Sequence, residues 1–183
     1  MRTLGLVLPT SLDSATAEAR GSDRVASELF DLHAPGLYRL AAAMLRDSAA
    51  AEDVVQDTFV RLVAHLASGG ALSNARGWLY TVAAHCCRDR QRRSGRWLPW
   101  RSELDSRQSC DAPDARDGSD AVLHAIGALP SRDRLLIVLR AHGLSYSEIA
   151  AAAQVRASSV GRLLARALDR LSRQLNSPPE NAV

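Results

Sequence analysis

The sequence has no lysine, only three cysteines and only 4% aromatic residues, and each shortage narrows what the chain can be. With hydrophobic residues at 46% and so few aromatics, a core must come mostly from Ala, Leu and Val, which favours helices. No alternating run of Val, Ile, Thr and aromatics reads as a strand, so the chain is predicted to be all-α. Cys86, Cys87 and Cys110 form an odd set without metal-ligand spacing. His85 beside the pair does not complete a site, because adjacent cysteines chelate one ion poorly and no second pair exists. Buried thiols in a reducing cytosol are the default.

No stretch approaches the roughly 20 apolar residues that span a bilayer. The apolar run within residues 1–9 is shorter than the roughly 7 to 15 residues of a signal-peptide core. A soluble, cytoplasmic chain without membrane insertion is expected. No nucleophile–base pair, phosphate loop or metal cluster is present, so no enzyme activity, cofactor or metal is expected.

What is present is charge in blocks. The formal net charge is only +3, and all 23 basic side chains are arginine. Residues 76–101 carry seven arginines against Asp89 alone, and residues 156–173 carry five against Asp169 alone. Nine acidic residues lie between Asp13 and Asp57, and six between Glu103 and Asp120. Two basic blocks separated by an acidic segment suggest two contacts with a polyanion; the acidic front suggests a protein partner. Arginine suits bidentate phosphate and guanine contacts, although genome base composition biases the same choice.

The periodicity divides the chain. Residues 1–23 lack a repeat and read as a mobile tail. Residues 24–93 read as one helical domain: Val25, Leu29 and Leu32 share a face, Pro35 and Gly36 interrupt or kink the helix, and Leu37 to Arg46 resumes it. Asp47 and Ser48 suit the cap of a second helix with the stripe Val55, Phe59, Leu62 and Leu66. A third runs from about Arg76 to Arg93. Residues 94–118, rich in Ser, Arg, Asp, Pro and Gly, read as a flexible linker. Residues 119–176 form a second helical domain, opening with the stripe Val122, Leu123, Ile126 and Leu129; Ser131 caps the next helix and Gly143 ends it. Residues 177–183 are a tail.

Residues 145–150 then open a short helix and residues 158–175 form a longer one, a helix-turn-helix pattern. At about 100° per residue, Val160, Leu164, Leu168, Leu171 and Leu175 fall on one side of the longer helix. Arg162, Arg166, Arg170 and Arg173 fall on the other, a shape suited to a phosphate-lined groove. The bland alternative is an amphipathic helix with solvated arginines. In the front half Asp53, Gln56 and Asp57 lie together at i, i+3 and i+4 with Arg61 one turn on, either a docking ridge or a solvated face near a helix N-terminus. Trp78 and Tyr80 precede His85, Arg88, Arg90, Arg92 and Arg93, and Asn74 lies just upstream. Aromatics beside a cationic track suit single-stranded nucleic acid, while the spacing of Trp78 to Val82 favours a core role for the tryptophan.

Taken in order, the segments 51–59 (AEDVVQDTF), 77–83 (GWLYTVA), Leu129-Pro130, 144–150 (LSYSEIA) and 164–167 (LARA) resemble the extracytoplasmic-function sigma factors of bacterial RNA polymerase, within the sigma-70 family. The likeness covers residues 25–175 except the linker. It implies two small helical domains, a sigma domain 2-like bundle and a C-terminal helix-turn-helix domain, joined by a flexible linker. It implies that Asp53, Gln56, Asp57 and Arg61 dock on the β′ clamp helices of core RNA polymerase. Asn74, Arg76, Trp78, Tyr80, His85 and Arg88 would open and hold the −10 element of promoter DNA. Arg156, Ser158, Ser159, Arg162, Arg166 and Arg170 would read the −35 element in the major groove. The linker, with Trp97 and Trp100, would thread toward the polymerase cleft, and an anti-sigma factor would restrain the chain.

Two positions depart from the family pattern. His85 stands where Asn is frequent, and Gly161 stands where a basic residue is usual, at a helix cost of about 1 kcal/mol relative to Ala. Two other readings remain open on the residues: a sigma mimic that sequesters an anti-sigma factor, disfavoured by the arginine face, and a helix-turn-helix repressor, disfavoured by the absence of an apolar pocket signature in the front domain.

Overall fold

The computed structural model describes residues 11–93 and 118–176. Among these there are seven helices and no strand: α1 (Ser11–Leu45), α2 (Ser48–Ala67), α3 (Ala75–Arg93), α4 (Gly118–Ala128), α5 (Ser131–Ala141), α6 (Tyr146–Ala153) and α7 (Ala157–Asn176). The segment between α3 and α4, with Trp97, Trp100 and Cys110, lies outside the described residues.

Helix α1 continues unbroken through Pro35, where the sequence predicts an interruption or kink. A proline removes one backbone donor and costs about 3 kcal/mol in a helix interior. Directly after it Leu37, Leu40, Ala41 and Met44 are buried at 2% exposure or less, and burying each large apolar side chain contributes about 1.5 to 3 kcal/mol. Tertiary packing therefore outweighs the local penalty. Gly36 has a separate role: a Cβ there would lie 2.2 Å from the Tyr80 hydroxyl, so only glycine lets α1 pass this close to α3.

Helix α2 is capped as its sequence predicts, with the Asp47 carboxylate accepting from the Ala50 amide at 3.0 Å. Its buried face is Val54, Val55, Phe59 and Leu62. Thr58, also buried, donates its hydroxyl to the Val54 carbonyl at 2.7 Å. Helix α3 supplies Leu79, Ala83, Cys86 and Cys87 to the same core.

The second set of helices departs from expectation in three details. Ser131 is the first helical residue of α5, and Pro130 before it offers no side-chain cap. Val122 and Leu123 are exposed, while Leu129 is buried. On α7 the buried residues are Val160, Leu164 and Ala167, with Leu168 and Leu175 exposed. Helical geometry explains the last point. Steps of four residues drift by about 40° each, so Leu168 sits about 80° from Val160, whereas Ala167 returns to within about 20° of it.

The two helical sets meet. One contiguous apolar core includes Leu37, Leu40 and Tyr80 together with Leu136, Leu139, Leu144, Ile149 and Ala152, and it is formed where α1 packs on α5 and α3 packs on α6.

Candidate nucleic-acid interface

The ridge on α2 has the geometry its spacing implies. Asp53, Gln56, Asp57 and Arg61 are all exposed. One partner was not legible in the sequence: the Arg90 guanidinium, reaching across from α3, donates to Asp53 at 3.1 Å and to Asp57 at 2.6 Å. Both carboxylates remain more than half exposed. The arginine thus fixes their spacing without covering them.

Around α3, Asn74 has two tasks. Its side-chain carbonyl accepts from the Gly77 amide at 2.9 Å, which caps α3, and its amide donates to Glu148 Oε1 at 2.7 Å. Trp78 is half-buried and stacks on His65 with ring centroids 5.2 Å apart. Tyr80 is buried, and its hydroxyl meets His142 Nδ1 at 3.2 Å. Burial pushes the Tyr80 phenol above its ordinary range, against the pull of Arg76 and Arg39. His85 is half-buried, held below the usual histidine range by burial and then by Arg88. Arg88 is 9% exposed and donates to Gln154 Oε1 and to the Ala152 carbonyl, both at 3.0 Å. Arg76 stays exposed. Of the six residues grouped by sequence here, Asn74, Tyr80 and Arg88 are engaged by α6 or by the turn before it.

The helix-turn-helix is built by local chemistry. Gly143, at φ +74°, turns the chain out of α5. Ser145 then caps α6 through a reciprocal box in which its side chain accepts from the Glu148 amide and its own amide donates to Glu148 Oε2 at 2.6 Å. Each such cap satisfies an otherwise orphaned donor. The hydrogen bonds from Ser145, followed by that from Asn74, hold the Glu148 carboxyl below its ordinary range. Gln154 closes α6 in the left-handed region at φ 55°. Arg140 lies over the Tyr146 ring, 5.9 Å from its centroid.

Arg156, just before α7, and Ser158, Arg162 and Arg166 on it are exposed to solvent, with Ser159 half-buried at the first turn of the helix. Arg170 is half exposed and pairs with Asp133 at 2.5 Å, and Arg173 pairs with Asp169. The arginine face is therefore open at its N-terminal half and already engaged near its end. No described helix is long and apolar enough to cross a membrane.

Two family models match the chain. Residues 29–97 match Sigma-70 region 2, and residues 119–171 match Sigma-70, region 4. RNA polymerase sigma factor CarQ of Myxococcus xanthus is 30% identical over 137 residues, covering 72% of this chain and 78% of CarQ. ECF RNA polymerase sigma factor SigE of Mycolicibacterium smegmatis is 32% identical over 145 residues, covering 73% of this chain and 54% of SigE. Among solved structures, that of CnrH in complex with the cytosolic domain of CnrY is similar over 88% of this chain and 94% of that one, with TM-score 0.64 and 27% identity. The sigma factor RpoE in complex with the anti-sigma factor NepR, from Bartonella quintana, shares the fold over 81% of this chain and 95% of that one, with TM-score 0.63 and 24% identity.

Proposed function

The chain belongs to the sigma-70 family, among the extracytoplasmic-function sigma factors, and from that membership we propose that it binds core RNA polymerase and directs promoter recognition, DNA melting and transcription initiation in the cytoplasm. Residues 24–93 engage the polymerase and the −10 element, residues 94–118 link, and residues 119–176 read the −35 element. The chain performs no chemistry itself; polymerase supplies the catalysis.

In this reading Asp53, Gln56, Asp57 and Arg61 dock on the β′ clamp helices. Asn74, Arg76, Trp78, Tyr80, His85 and Arg88 receive the opened −10 strand. Extruded bases gain stacking worth about 1 to 3 kcal/mol each, which offsets the lost pairing. Arg156, Ser158, Ser159, Arg162, Arg166 and Arg170 enter the major groove, where phosphate contacts set register and base-edge contacts select sequence. An anti-sigma factor restrains the chain, by analogy with RpoE.

The observation that carries the proposal is the exposed row of Arg156, Ser158, Arg162 and Arg166 at the start of α7, backed by Val160, Leu164 and Ala167 in the core. That is the polarity a recognition helix needs. The test is transcription reconstituted from the chain, core polymerase and fragmented genomic DNA, read by sequencing RNA 5′ ends. A shared two-part element upstream of the starts is the expected result. Transcripts independent of the added chain would overturn the proposal.

A further inference from the structure

The loop between α2 and α3, residues 68–74, leads directly into Trp78 and the other residues that the promoter reading sets against the opened −10 strand. Apart from Leu72 it is made of small and polar residues, and Ser68, Gly69, Ala71, Ser73 and Asn74 are exposed. A Cβ at Gly69 would meet nothing within 4 Å, so the loop stands open on that side. Its glycines make it entropically costly to hold in one shape. A loop that reads an extruded base through its own backbone needs that shape fixed in advance.

Both ends are fixed by local bonds. Helix α2 closes through Gly69 at φ +76°, where the Gly69 amide donates to the Leu66 carbonyl at 3.0 Å and the Gly70 amide to the His65 carbonyl at 2.9 Å, the paired closure of a helix that ends on a left-handed glycine. The Ser68 hydroxyl donates to the same His65 carbonyl at 2.8 Å. At the far end the Asn74 side chain accepts from the Gly77 amide at 2.9 Å. Between these ends the loop meets the His65 imidazole. A Cβ at Gly70 would stand 2.3 Å from Cε1, 2.4 Å from Nε2 and 2.5 Å from Nδ1 of that ring, and Nε2 faces the Ala71 carbonyl at 3.5 Å. The ring is stacked on Trp78, with centroids 5.2 Å apart and planes 27° from parallel. Trp78 in turn packs against the apolar core. The imidazole is thus a spacer that carries the rigidity of the core to Gly70 and Ala71.

We propose that His65 is the positioning residue of this loop: held by its stack on Trp78, it fixes the backbone at Gly70 and Ala71 and so sets which extruded −10 base is accepted. The proposal rests on the promoter reading given above. His65 stands in the last turn of α2, outside the residues that spacing and resemblance group for either DNA element. It acts through the loop and needs no contact with DNA itself.

The test reads selectivity rather than yield. The full chain and core polymerase transcribe a promoter pool in which each −10 and −35 position is varied through all bases, and RNA output is compared base by base. In His65→Ala the preference for the best base at one or more −10 positions should fall by at least about fivefold, the scale of one lost base discrimination, with the −35 preferences unchanged. His65→Phe, which keeps a flat ring on Trp78, should select more sharply at −10 than His65→Ala. A chain that is merely less stable gives less RNA from every promoter alike. Unchanged −10 preferences, or an equal loss at −10 and −35, therefore overturn the proposal, and His65→Phe selecting no better than His65→Ala contradicts the stack as its basis.

Gly70→Ala keeps the proposal falsifiable where His65→Ala does not fold, because the added methyl needs the space of the ring and displaces it. The same −10 preference should fall, and an unchanged preference contradicts the proposal. A wild-type chain that selects no two-part element overturns the promoter reading itself, and the role of His65 with it.

Discussion

At the scale of single residues, the groups that hold the molecule closed are those the sequence hid. Arg134 reads in sequence as one more surface arginine, yet it is 8% exposed. It donates to the carbonyls of Ala43 at 3.2 Å and Met44 at 3.4 Å, at the end of α1, and to those of Gly127 at 2.5 Å and Leu129 at 2.8 Å, at the end of α4. Arg134→Met keeps the volume and removes every one of these bonds, so it should cost about 3 kcal/mol in a urea melt. A loss below the scatter of the melt would show that water takes the place of the guanidinium.

The histidines make stability depend on pH. His142 is held below the usual histidine range by burial, then by Arg39 of α1 and Arg76 of α3, with Tyr80 as its neutral neighbour; His33 and His85 are shifted the same way. The folded chain keeps all three neutral at a pH where the unfolded chain, titrating near about 6.5, begins to take up protons. The histidine contribution to stability therefore stays level above about pH 7 and falls as the pH drops through about 6.5. The Glu148 carboxyl, shifted down, adds stability above the normal carboxylate range that is lost only at more acidic pH. Thermal melts from about pH 8 down to about pH 5.5 should follow this slope, and His142→Phe should flatten it. A melting temperature that rises on acidification would contradict the assignment.

Among the helices, α7 shows how far a sequence pattern reaches. Its amphipathic character and arginine face follow from composition and period, and the buried Val160 and Leu164 agree with them. Leu168 and Leu175 fall outside the seam because a count in fours drifts around the helix, whereas the buried seam alternates steps of three and four. Pro35 misleads for a different reason: its cost is local and visible, while the burial that overrides it comes from the helices packed on α1, namely α2, α3 and α5. The cap at Asp47 was legible because capping is chemistry between residues three apart.

Two predictions belong to α7. A Cβ at Gly161 would meet Tyr146 Cε2 at 3.6 Å, an ordinary van der Waals distance, so Gly161→Ala should stabilise by about 1 kcal/mol, seen as a higher melting temperature. A lower one would place an unrecognised steric clash there. Replacing Arg162 and Arg166 with Ala removes the exposed cations of the first three turns of α7. Binding to promoter duplex should weaken, and the slope of log affinity against log salt should fall by about 1 for each phosphate no longer neutralised. An unchanged slope would mean that these arginines do not meet DNA.

For the whole molecule, the all-helical class, the two helical units and the family were all readable from motifs in order along the chain. Their mutual packing was not. It rests on pairs such as Asn74 with Glu148 and Arg88 with Gln154, which are 74 and 66 residues apart and leave no periodic trace. The same distance hid Arg90, which organises the acidic ridge from another helix.

Everything proposed for the chain begins with that ridge gripping the transcription machinery. Equilibrium binding of the labelled full chain to purified core RNA polymerase, at low and moderate salt, tests it most directly. Wild type should bind one to one, and Asp53→Ala/Asp57→Ala should bind at least about tenfold more weakly while keeping its helical content. No binding by wild type even at low ionic strength would contradict the central claim.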